Sequence, residues 1–233
     1  LDKTPSRRTH AIGLMYRGQG DTTLANILSE EKSSRRYSAF SSALGEQAPV
    51  KDFQYYCGGI EDGVDGNSLL YYKSSTREAV YHEAVRMPRT EDNERKWGHI
   101  KDDNVLMVWD ESKEQTVDSL SQDGNETKIS ATITIQPSVQ GVDTVQVSRQ
   151  KNVKVFGPLL HNMVVPEDLL PELARETAFN ADDCVAERTE GDDVLIPYLR
   201  RNRMIKEIIP KNPTFSQKGY LSCTTSFVDV KDV

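Results

Sequence analysis

Cysteine is scarce: three in 233 residues, at Cys57, Cys184 and Cys223. The number is odd, the three lie far apart, and no Cys-x-x-Cys or zinc-finger His spacing accompanies them. That pattern excludes a disulfide framework and predicts reduced thiols in a cytoplasmic protein. Long apolar runs are missing as well. No stretch approaches the roughly 18 residues a membrane-spanning helix needs, so no membrane insertion is expected. Leu1 to His10 is polar and basic and does not read as a signal peptide. The first residue is Leu rather than Met, as expected of a piece of a longer protein. A cationic surplus is absent too: Lys and Arg number 29 against 36 Asp and Glu, a formal net charge of -7. Neutralising phosphates needs the opposite balance, so no nucleic-acid partner is expected. A local basic cluster, Arg200-Arg201-Asn202-Arg203, reads as a solvated helix end.

Several chemical motifs begin and stop short. Gly18-Gln19-Gly20 follows an apolar run, but the third glycine of a dinucleotide loop is replaced by Thr23 and no Gly-Lys-Ser/Thr follows. His82-Glu83 opens a zinc-protease pattern, yet the second histidine position holds Arg86. Ser41-Ser42 near Gly45 lacks the flanking glycines of a nucleophile elbow. No metal and no cofactor are expected.

What is present suits a soluble α/β domain, with 36% hydrophobic and 28% charged residues. His10 to Tyr16 reads as a buried strand. A short helix is expected over Thr22 to Leu28, with Asp21 as its N-cap, and another over Ser38 to Leu44, stopping at Gly45. Phe53 to Tyr56 and Ser68 to Tyr72 are expected as strands around an Asp/Gly-rich turn. Thr76 to Met87 reads as an amphipathic helix ended by Pro88. Thr90 to His99 reads as a charged connector or short helix, and Val105 to Trp109 as a central strand. Ser112 to Thr127 reads as a polar loop. Alternation over Ile129 to Ile135, and the stretch Asp143 to Ser148, predict two further strands. A helical C-terminal third follows, with Pro166 at a helix start, Leu169, Leu170 and Leu173 at core spacing, and a last helix ending at Pro210. Residues 1–210 are expected to form the domain and 211–233 a loose tail.

His99-Ile100-Lys101-Asp102-Asp103-Asn104-Val105-Leu106-Met107-Val108-Trp109 is the most informative stretch. It resembles the catalytic segment of the Rap/Ral/tuberin GTPase-activating proteins, roughly His-Ile/Leu-Gly-Asn-Asp-x-Val-x-x-Val-aromatic. Without gaps, His99, Asp103, Val105, Val108 and Trp109 match, Lys101 replaces the glycine, and Asp102 replaces the asparagine "thumb". Sliding Asn104 onto the thumb position destroys those matches. Further pieces in the family's order are His10-Ala11-Ile12-Gly13-Leu14-Met15-Tyr16, Tyr56-Cys57-Gly58-Gly59-Ile60, Ala79 to Pro88, Phe156-Gly157-Pro158-Leu159 and Arg175 to Asn180. The resemblance implies a single domain with a central β-sheet flanked by helices.

It also implies a role for the altered position. In this family a carboxamide from the activating protein enters the GTPase site to position water at the γ-phosphoryl group. Asn accepts and donates; an ionised Asp only accepts, and it brings negative charge to a polyphosphate. Losing such a group costs on the order of 10²–10⁴ in rate. Asn104 lies about 200° around a helix or about 7 Å along a strand from Asp102, and does not replace it. The resemblance then implies a partner subunit of a Ral GTPase-activating complex, of the beta type, beside an alpha-type subunit that carries the thumb. The alternative is an active domain that uses Asp102 or His99 atypically. Arg95, Lys96, His99, Lys101, Asp102, Asp103 and Asn104 are the residues expected to face a Ral-like GTPase or partner.

Overall fold

The computed structural model describes residues 7–20, 23–112, 127–190 and 197–208. Eight strands form one mixed sheet in the order β2-β3-β4-β1-β5-β6-β7-β8. They are β1 Arg8–Arg17, β2 Glu46–Pro49, β3 Ser68–Lys73, β4 Arg77–Glu83, β5 Val105–Asp110, β6 Ala131–Gln136, β7 Val142–Arg149 and β8 Met163–Pro166. The four central strands β4, β1, β5 and β6 run parallel, and antiparallel pairs extend the sheet on both sides. Helices α1 Leu24–Ser29, α2 Arg35–Leu44, α3 Glu94–Asp102, α4 Leu170–Glu190 and α5 Pro197–Ile208 complete the elements of the described residues. A parallel strand covered on both faces carries an unbroken apolar run, and all six residues of β5 are buried.

Alternation along the strands divides the core. Ile12, Leu14, Tyr16, Tyr81, Met107 and Trp109 pack beneath α2 and α4. On the opposite face Met15, Leu106 and Val108 pack with Trp97 and Ile100 of α3 and Ile27 and Leu28 of α1. Val80 and Tyr71 meet Ile60 and Val50, which come from the loop between β2 and β3. At Gly13, β1 runs so close to α3 that an added Cβ would lie 3.1 Å from both Ile100 and Leu106.

Four local expectations are corrected. Thr76 to Met87 is not a helix: Arg77–Glu83 is β4, between β1 and β3. Ala79, Val80 and Tyr81 are buried on alternate faces, and a strand apolar on both sides imitates a helical stripe. The segment 53–56 is a loop, and the partner of β3 is the polar strand Glu46–Pro49. The N-cap of α1 is Thr23, whose hydroxyl accepts from the Asn26 N–H at 3.2 Å. Pro166 ends β8, and α4 begins at Leu170, leaving Leu169 exposed. The expected loop 112–127 and tail 211–233 lie largely or wholly outside the described residues.

Candidate functional site

A cleft of about 500 Å³ opens on the α3 face of the sheet. One wall is α3, with Arg95, Gly98, His99 and Asp102; the other is the loop carrying Tyr56, Gly58, Gly59 and Glu61; His82 and Asp103 lie at its base. Bare backbone widens it. A Cβ at Gly98 would meet nothing within 4 Å, and one at Gly59 would touch only His99, at 3.9 Å.

Two carboxylates lock these walls together. Asp65, 4% exposed, accepts from Arg95 at 2.6 and 3.0 Å and from the Glu61 N–H at 2.9 Å. His99 Nε2 stands 3.2 Å from the same carboxylate. Burial alone would raise Asp65, but the Arg95 and Glu61 bonds and the nearby cations hold it below the ordinary carboxylate range. Below it, His82 Nδ1 faces Asp103 Oδ2 at 2.7 Å and His82 Nε2 faces the Gly58 carbonyl at 3.0 Å. Burial works against charge on both: it would lower His82 and it pushes Asp103 up to about 6. Both tendencies pull the shared proton toward Asp103. The Gly58 carbonyl only accepts, so Nε2 carries a proton. The hydrogen bond and charge of Asp103, helped by the Gly58 bond, outweigh burial and leave His82 raised above its ordinary value. His99, whose ring centroid is 4.9 Å from that of His82, is lowered by burial and by the charge of His82.

The expected site residues divide. Arg95, His99, Asp102 and Asp103 line the cleft. Asp102 is the last residue of α3, and its side chain is 61% exposed. Lys101 is half-buried beside it. Lys96 does not serve as a surface cation: it is 3% exposed, and its ammonium donates to the Leu28 carbonyl at 2.7 Å. Asn104 turns toward α4, donating to Asp182 at 2.8 Å. Tyr56, Gly58, Asp65 and His82 were not among the candidates. The glycine pair and the histidine stood in recognisable stretches, while Asp65 had no signal beyond turn composition. Among the described residues no cluster of three His, Cys, Asp or Glu side chains offers a metal site. No helix among them is long and apolar enough to cross a membrane.

The fold, and the α3 segment at the lip of this cleft, are those of a GAP-type domain. The Rap/ran-GAP family matches residues 27–207, and the chain belongs to that family. Over 193 residues it is 30% identical to Ral GTPase-activating protein subunit alpha-2 of Mus musculus, covering 79% of this chain and 10% of that protein. Against subunit alpha-1 of Homo sapiens it is 28% identical over 186 residues, covering 78% and 9%. The tuberous sclerosis 2 protein homolog of Schizosaccharomyces pombe is 25% identical over 225 residues, covering 91% and 17%. The chain thus spans about a tenth of the length of the Ral relatives it matches. Among solved structures, the TSC2 GAP domain superposes with a TM-score of 0.69 at 22% identity, covering 78% of this chain and 99% of that one. That likeness is one of fold.

Proposed function

We propose that this domain is a GAP-type docking module without a catalytic carboxamide, acting as the non-catalytic, beta-type subunit of a complex that regulates Ral-type GTPases in the cytoplasm. An alpha-type subunit supplies the asparagine. The observation that carries this reading is Asp102, an exposed carboxylate ending α3 at the rim of the cleft, where the ungapped correspondence puts the thumb. A carboxylate in that place accepts but does not donate, and it repels the nucleotide. The clamp of Asp65 on Arg95 and His99 supports retention of a shaped face around the altered position.

The test is single-turnover GTP hydrolysis by purified Ral and Rap with the unmodified chain and with Asp102→Asn. The expected result is no acceleration by the former and about 10² or more by the latter. Acceleration by the unmodified chain would instead assign an active domain and direct attention to His99. No acceleration by either would leave scaffolding of the alpha-type subunit, checked by co-purification, as the whole of the function.

A further inference from the structure

The carboxylate at the tip of α3 has a built-in companion. Lys128 lies on the segment leading into β6, and its backbone N–H donates to the Lys101 carbonyl at 2.8 Å. Two residues on, the N–H groups of Ser130 and Ala131 both donate to the Asn104 carbonyl, at 2.8 and 3.2 Å. These bonds stitch residues 128–131 across the end of α3 and satisfy a carbonyl that the last helical turn leaves without an intrahelical partner. They bring the Lys128 ammonium to 3.4 Å from Asp102 Oδ1, with the two side chains 66% and 61% exposed. A solvated pair of this kind is weakly held and exchanges partners readily. Of the neighbouring cations, Arg95 is committed to Asp65 and Glu61, Lys96 to the Leu28 carbonyl and His82 to Asp103, while Lys101 is half-buried beside Asp102.

We propose that Lys128 is a specificity-determining residue of this face: when a GTPase docks, the ammonium leaves Asp102 for the terminal phosphate of the bound nucleotide, so the domain retains the triphosphate form of its partner and releases the diphosphate form. This rests on the docking reading above. Asp102 alone repels a nucleoside triphosphate. With an anchored ammonium beside it the tip is neutral, and it offers three N–H donors to phosphate oxygens. Neither group reproduces the carboxamide, which donates and accepts from one planar unit, so recognition of the triphosphate is separated from its hydrolysis.

Calorimetry on the whole chain tests this, with Ral and Rap each loaded with GDP or with a non-hydrolysable GTP analogue. The variants are Lys128→Gln, Lys128→Glu and, as a control for net charge, Lys154→Gln, whose ammonium pairs with Glu187 of α4. Wild type and Lys154→Gln are expected to prefer the analogue-loaded form by about tenfold. Lys128→Gln reduces that preference to about twofold, and Lys128→Glu abolishes or reverses it, with GDP-form affinity unchanged. Lys128 variants that keep the full preference, or a wild type that binds both forms equally, overturn the proposal and leave docking intact. Binding of neither form by any version overturns the docking reading and this inference with it.

Discussion

His82 and Asp103 face each other in a place that water barely reaches, with side chains 3% and 4% exposed. Removing one member of such a pair strands the other, at a cost of about 3 kcal/mol. The pH dependence follows from the direction of the His82 shift. Its folded pKa is raised above the ordinary 6.5, so its contribution is present below that value and is lost as pH rises through the raised pKa. Asp103, pushed up to about 6, has surrendered its proton by the start of that window. The stability advantage of wild type over His82→Gln is therefore expected to be largest near pH 6.5 and to shrink toward pH 9. Urea unfolding midpoints across that range measure it; an advantage that grows with pH would contradict the upward shift of His82. Lys96 shows the opposite device. Burial lowers its pKa, and it acts as a strut from α3 to α1, where position in the sequence had suggested a partner-facing charge.

At the scale of elements, side-chain volume at a few glycines separates packing from open surface. A Cβ at Gly45 would stand 2.5 Å from the Tyr71 carbonyl, and backbone cannot move aside as a flexible side chain does. Gly45→Ala is expected to destabilise by about 1–3 kcal/mol. Gly98→Ala, inside α3 with nothing in its way, is expected to stabilise by about 0.5–1 kcal/mol while narrowing the cleft; thermal unfolding of both variants gives the contrast. The same scale shows what the sequence made legible. β5 was readable because an uninterrupted apolar run admits little else, and α2 because it stops at Gly45. β4 was not, because burial on both faces erases the period-two signature that marks a half-exposed strand. The hairpin turn at Ser74 to Thr76, whose Ser74 N–H donates to the Arg77 carbonyl at 2.8 Å, was the available clue. Within the site, Asp102 was legible through its neighbours at fixed spacing. The Asp65 clamp was not, since it joins residues 30 or more positions apart through side chains alone.

Across the whole molecule, α4 ties together stretches that are remote in sequence. Asp182 accepts from Asn104 at 2.8 Å and faces His10 Nδ1 at 2.8 Å, joining β1, the start of β5 and α4. The Phe156-Gly157-Pro158-Leu159 segment docks on the same helix: the Leu159 N–H donates to Thr177 at 2.9 Å, and Asn180 donates to the Gly157 carbonyl at 2.7 Å. Asp182→Ala would leave the fully buried His10 ring without its partner, and is expected to cost about 2–4 kcal/mol in chemical denaturation. A cost below about 0.5 kcal/mol would show that the Asp182 bonds do little to hold α4.

The division of the core by the sheet also has an optical consequence. The chain has two tryptophans, and they lie on opposite faces of the sheet: Trp109 under α2 and α4, Trp97 on the inner side of α3. With Trp109 replaced by Phe, indole emission comes only from Trp97, one residue from the glycine that widens the cleft. Seating of a partner on α3 then becomes visible as a change in the colour or lifetime of that emission, without any attached dye. The reciprocal replacement leaves an emitter screened from the same event by the full thickness of the sheet.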